Sequence, residues 1–99
     1  MYWLLSYTLA EDYLERRQPW RQAHLDHLHQ YHRSGNLLMA GALSDRYDGA
    51  VLLFESDDSS TIERFIAEDP FVRAALVTNW SIRPWSTVMW GDDQLPNAL

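Results

Sequence analysis

Between residues 36 and 55 the chain reads Asn36-Leu37-Leu38-Met39-Ala40-Gly41-Ala42-Leu43, then Ser44-Asp45-Arg46-Tyr47-Asp48-Gly49, then Ala50-Val51-Leu52-Leu53-Phe54-Glu55. Two short apolar runs flank a polar turn, and Asp48-Gly49 is its punctuation. Each run reads as a strand bounded by turn residues. The second is apolar at four consecutive positions, Val51 to Phe54, so it asks for cover on both faces of its sheet.

Upstream of this pair, Glu11 to Ser34 has helical composition interrupted by Pro19. Its strongest periodic part runs from Pro19, which suits a first helical turn, to Ser34, with Gly35 placed as the stop. Leu25, Leu28 and His32 share one stripe, with Arg21, His24 and Tyr31 at its margins. Further upstream, Tyr2 to Leu9 reads as a strand, Trp3, Leu5, Tyr7 and Leu9 on one face and Tyr2, Leu4, Ser6 and Thr8 on the other. Downstream, Ser60-Thr61-Ile62-Glu63 matches a capping box ahead of a helix that buries Ile62, Phe65 and Ile66. Asp69-Pro70 restarts a short helix, Asp69 as N-cap and Pro70 as first residue. Val77 to Val88 is the last strand, and Pro84 within it points to an edge or a bulge.

The order is therefore β-α-β-β-α-β, that of an α+β, ferredoxin-like sandwich with an antiparallel sheet and helices on one face. Residues 1–90 form the domain, and residues 91–99 read as a loosely ordered tail. Helices cover only one face of such a sheet. The simplest cover for the other is the sheet of a second copy, in a homodimer or higher even oligomer.

Composition bounds the chemistry. The chain has 99 residues, 14 acidic against 8 basic, a net charge of -6, five Trp and no Cys; all eight basic residues are Arg. Absence of Lys excludes Schiff-base chemistry, and absence of Cys excludes thiolate nucleophiles, disulfides and thiolate metal sites. A net negative chain is a poor phosphate-backbone binder, so nucleic acid is not an expected partner. No apolar run approaches the roughly 20 residues of a membrane span, and the start lacks the basic residues of a signal peptide. We expect a cytoplasmic protein. So short a domain buries only about 60–68% of the surface of its unfolded chain, which leaves five Trp hard to cover in a monomer.

Four histidines, His24, His27, His29 and His32, crowd into nine residues. They spread around the helix rather than converge, and no carboxylate completes a ligand set, so no metal site is expected. A divalent metal on His24 and His27 is the weaker alternative. Solvated positions on a polar face suit His27 and His29. His24, at the margin of the apolar stripe, has two readings: a core histidine bonded to a backbone carbonyl, or a half-buried imidazole available as general acid or base. Asp69 likewise has two, an N-cap alone or a carboxylate that orients an imidazole or acts as the base itself. For Arg21 the readings are a surface ion pair or a planar fork for a substrate carboxylate or enolate. Trp80 and Trp85 fit packing or a pocket wall.

Arg21-Gln22-Ala23-His24-Leu25-Asp26-His27-Leu28, Gly35, Leu38, Ala40-Gly41, Asp69-Pro70-Phe71 and Arg83-Pro84-Trp85 together resemble the YciI-like (YCII-related) family. The match is collinear over roughly residues 1–90. The resemblance implies a dimeric α/β-barrel of ferredoxin-like subunits and a site built from His24 and Asp69, with Arg21 and Gly41 toward substrate and no required cofactor. It also implies a small lyase, isomerase or dehalogenase acting on a cyclic or hydroxy-aromatic molecule. A non-catalytic ligand-binding or assembly module is the rival. The family commonly has Gly-Pro where this chain has Gly41-Ala42, which bears on the pocket edge at the second strand.

Overall fold

Alternation in β1 (Tyr2–Leu9) sends Leu5, Tyr7 and Leu9 to one side, where all three are buried, while Thr8 faces out. That strand is central. In the computed structural model, which describes residues 1–90 and the backbone pairing of Asp93 and Gln94, the sheet order is β2-β3-β1-β4. The elements in chain order are β1, α1 (Tyr13–Arg16), α2 (Gln18–Arg33), β2 (Leu37–Ala42), β3 (Gly49–Glu55), α3 (Ser60–Glu68), α4 (Pro70–Arg73) and β4 (Val77–Trp85), followed by β5 (Met89–Trp90) and β6 (Asp93–Gln94). All pairings are antiparallel: Leu5 opposes Leu52 of β3 and Ile82 of β4, and Gly41 of β2 opposes Val51. This is the ferredoxin-like arrangement expected from the element order, elaborated by α1, α4 and the β5–β6 hairpin.

One core fills the space between sheet and helices. It contains Leu5, Tyr7, Leu9, Leu52 and Phe54 from the sheet, with Tyr31, Ile62, Phe65, Ile66 and Phe71 from the helices. Phe65 packs edge-on to Phe54 and Tyr31, at centroid separations of 5.1 Å each. Pro84 lies in β4, which is an edge strand, where a missing N–H is tolerated. Gly35 ends α2 with φ +88, and its neighbours close the end with N–H bonds from Gly35 to His32 and from Asn36 to Tyr31.

Two local expectations change. The capping box at Ser60 does not form, because the helix starts at Ser60 and its cap position is Ser59, whose side chain makes no cap bond. Asp58 acts instead, its Oδ1 accepting from the Ser60 backbone N–H at 2.9 Å and from the Ser60 hydroxyl. The last strand ends at Trp85 rather than Val88, and Met89–Trp90 turns back to pair with Asp93–Gln94. The expected loose tail lies outside the described residues except for that pairing. Four of the five Trp, at positions 20, 80, 85 and 90, remain exposed, in keeping with the difficulty of covering them in so short a chain. Trp3 alone is half-buried, donating from Nε1 to the Ser56 carbonyl at 3.1 Å. Among the described residues no helix is long and apolar enough to cross a membrane.

Candidate active site

Proline 70 sets the site. The residue before a proline is pushed out of helical conformation, and Asp69 accordingly has φ -70 and ψ 120, ending α3 and capping α4. Its side chain turns back over the new helix, and Oδ1 accepts the Phe71 N–H at 3.0 Å. The cap thus forms as the sequence implies.

The same carboxylate takes two further donors from elements distant in sequence. His24 Nδ1, from α2, lies 2.7 Å from Oδ1, and the Tyr7 hydroxyl, from β1, donates to Oδ2 at 2.8 Å. Asp69 is 0% exposed. The bonds from the Phe71 N–H and the Tyr7 hydroxyl both require it to accept, as a carboxylate does, and opposite a carboxylate the hydrogen shared with His24 is assigned to Nδ1. Burial above all, then the charge of Asp69 and the bond to it, pushes the Tyr7 phenol well above its ordinary value. Tyr7 is therefore a permanent donor, and it holds the second carboxylate oxygen so that the first stays on His24.

The His24 ring is fixed by stacking as well as by hydrogen bonding. Phe71 lies parallel to it, centroids 3.7 Å apart and planes within 6°. One residue, two positions after the cap, thus supplies both a cap donor and a wall. The imidazole side chain is 13% exposed, and Nε2 has no partner among the described residues. The ring borders a cavity of about 390 Å³ between α2 and the β2–β3 side of the sheet. Tyr13, Leu25, Leu28 and Leu52 give it apolar walls, and Arg17 and Arg21 line it too. That volume suits a single small ring.

The histidines separate once the helix is packed. His24 holds Asp69, and its role as a histidine bonded to a backbone carbonyl falls instead to His27. His27, expected in solvent, is buried: Nε2 donates to the Phe65 carbonyl at 2.9 Å, and the ring stacks on Phe65 with centroids 4.5 Å apart. The reason is that α3 lies along this side of α2, so its carbonyl replaces water as acceptor. His29 is exposed, as is His32, which donates from Nδ1 to the Leu37 carbonyl at 2.8 Å. Among the described residues no group of three or more His, Cys, Asp or Glu is arranged to hold a metal ion.

Arg21 is exposed and makes no ion pair among the described residues, so its surface-pair reading finds no partner. Gly41 borders the cavity from β2, and a Cβ added there would meet nothing within 4 Å. Neither Trp80 nor Trp85 reaches this cavity; Trp85 lies on the opposite face of the sheet with Leu4 and Val51. Tyr7, Tyr13 and Arg17 had no site role in the sequence reading. For Tyr7 the available signal was a hydroxyl on the buried face of a strand, which must find an acceptor.

The sequence profile of the YCII-related domain matches residues 1–86. The chain belongs to the YCII-related domain family. No curated protein sequence matches this YCII-related domain. Among solved structures, it is similar to the 5-chloro-2-hydroxyhydroquinone dehydrochlorinase of Burkholderia phenoliruptrix AC1100, in complex with 2,5-dihydroxybenzoquinone. That likeness has a TM-score of 0.75 at 20% identity, over 88% of this chain and 95% of that one. A protein from Bacteroides thetaiotaomicron assigned as an antibiotic biosynthesis monooxygenase gives a TM-score of 0.58 at 16% identity, over 96% and 95% of the two chains. Both likenesses bear on the fold.

Proposed function

We propose that this YCII-related domain is a small-molecule enzyme of the lyase, isomerase or dehalogenase type. His24 moves a proton on a cyclic, enolisable or hydroxy-aromatic substrate held in the cavity. One observation carries the reading: a histidine whose Nδ1 is fixed on a buried carboxylate, with an unpartnered Nε2 on a ring that borders a cavity. Such a ring is in the tautomer that leaves Nε2 free to accept a proton, and the carboxylate stabilises the imidazolium that results. Asp69 is a positioning residue, because full burial keeps it from touching substrate. Returning the proton to another ring atom completes an isomerisation. Releasing it while a C–X bond breaks and a ring double bond forms completes the loss of HX. The dehydrochlorinase with the same fold gives the second outcome its support. Neither outcome calls for a group beyond the side chains present.

Turnover of halogenated hydroxyquinols and of unsaturated lactone acids, followed by absorbance, tests the reading. His24→Ala is expected to abolish whichever activity is found while the protein stays folded. Activity that survives this substitution overturns the role of His24, whereas a parent protein that turns over none of these substrates leaves the non-catalytic module standing.

A separate observation supports a homodimer. Away from the helices, Leu4, Met39, Val51, Leu53, Trp85 and Trp90 line an apolar concavity, and Met39 is 66% exposed. A contiguous apolar surface of this kind calls for a partner, and a second copy of the same face is self-complementary under two-fold symmetry. Sedimentation at micromolar concentration tests it; a monomer there is the contrary result.

A further inference from the structure

Arg17, Arg21, His24 and Leu28 stand at i, i+4, i+7 and i+11 along α2 and its cap residue, so they form one stripe, and all four border the cavity. Arg17 keeps helical backbone (φ -71, ψ -25) although it precedes the helix, which holds it on that stripe. Its guanidinium carbon lies over the Tyr13 ring, 5.4 Å from the centroid, and that ring is itself buried in the cavity wall. Among the described residues only Arg16 and Arg46 hold carboxylates within 4.0 Å, and of the six arginines that hold none, Arg17 and Arg21 are the two that line the cavity. In a chain of net charge -6 carboxylates are plentiful. Two arginines that line a cavity and pair with none of them are placed for a charge that comes from outside.

We propose that Arg17 and Arg21 act as a two-guanidinium clamp that makes the substrate of His24 an anion: a planar ring bearing a delocalised oxyanion, either a carboxylate or an ionised ring hydroxyl. The inference rests on the cavity being the substrate site of the preceding reading, and adds to it the charge of the substrate and a role for Arg17. Helical rise puts Arg21 and Arg17 roughly 4.5 and 10.5 Å from His24 along the axis. The oxyanion then sits toward the arginine end of the ring, and the atom that exchanges a proton faces Nε2. Guanidinium forks match such oxyanions with paired hydrogen bonds and stay charged at every physiological pH.

Titration calorimetry of the whole chain with three ring probes at neutral pH tests the clamp: 2,5-dihydroxybenzoate, 2,5-dihydroxybenzoquinone and neutral hydroquinone. Both anions are expected to bind at least about tenfold more tightly than hydroquinone, which is the scale of one charge-assisted bond. The tighter of the two then distinguishes carboxylate from ring oxyanion. Arg17→Gln and Arg21→Gln should each weaken anion binding about tenfold and leave hydroquinone within about twofold, while Arg17→Lys retains part of the affinity. Equal binding of all three probes overturns the clamp, as does an equal loss for all three in the variants. His24→Gln separates the two readings. If that variant keeps both turnover and the anion preference, the acid–base role fails and the clamp stands. If the preference is absent while turnover still depends on His24, the clamp alone falls.

Discussion

Asp69 accepts hydrogens from Phe71, His24 and Tyr7, and no water reaches it. Asp69→Ala strands two buried donors besides removing a cap, so urea denaturation is expected to show a loss of about 3–5 kcal/mol. Asp69→Asn keeps an oxygen for Phe71 but removes the charge opposite an imidazolium; its larger effect is expected on kcat, with a smaller loss of stability. Tyr7 supplies a pH signature. Its unfolded phenol releases a proton near pH 10, whereas the folded one, pushed up by burial and then by Asp69, keeps it. Above that pH the unfolded state binds fewer protons, so stability falls as pH rises, by up to about 1.4 kcal/mol per unit. Tyr7→Phe should flatten that alkaline slope in urea titrations; an unchanged slope would assign it elsewhere. The Tyr31 phenol is also pushed up, chiefly by burial, and leaves a residual slope. At this scale the sequence was uneven. Asp69 was legible because a cap before proline is a local matter. Tyr7 was not, since its acceptor lies 62 residues away and only the sheet register brings them together. His27 was misread because a helix pattern says which residues share a face and not what is laid against it.

Helix ends show how local rules survive or fail in context. Gly35 after α2 and Ala75 after α4 both take positive φ, +88 and +60, and both are followed by an N–H bond reaching five residues back, from Asn36 to Tyr31 and from Leu76 to Phe71. The closing motif is the same, but only the first carries the residue without a Cβ. Ala75 is exposed and gives up little packing. Ala75→Gly is therefore expected to raise stability by up to about 1 kcal/mol in urea denaturation, and a loss would mean that the left-handed turn is not strained. At the start of α3, Asp58 and not the predicted box satisfies the first N–H. Its carboxyl is held below the ordinary range by the bonds from the Ser60 hydroxyl and N–H. Asp58→Ala should lower Tm at neutral pH while Glu63→Gln leaves it unchanged; the difference should vanish as the pH falls through the range where the Asp58 carboxyl protonates. The element order was readable because apolar runs and breakers are local. The missing box was not, because two neighbouring acceptors compete for one donor and only geometry chooses between them.

At the scale of the molecule, helices shield one side of the sheet, and two of the exposed tryptophans lie on the other. Trp85 and Trp90 face the apolar concavity, and Tyr2 stacks on Trp90 with ring centroids 5.4 Å apart. Met39→Glu places a charge on this surface without touching the core. If the proposed homodimer forms through this face, the substitution is expected to shift sedimentation from dimer to monomer while far-UV circular dichroism stays unchanged, and a variant that sediments like a dimeric parent would show that the face is not where copies meet. Two-sided apolar strands were visible in the sequence, since Val51 to Phe54 leaves no polar alternation. Which tryptophans would remain outside was not, because that depends on how far the helices extend over the sheet.

The carboxylate that orients His24 also fastens the turn between α3 and α4, and this has a consequence for descent. On the proposed function, catalysis and folding draw on one carboxylate, so Asp69 stays under selection even where the chemistry is given up. A lineage that gave up the chemistry would lose His24 freely, since its imidazole fixes no backbone. It would keep Asp69 and Tyr7, which the corner still needs. Inactive relatives of this chain should therefore be recognised by an altered histidine above an intact Asp-Pro-Phe.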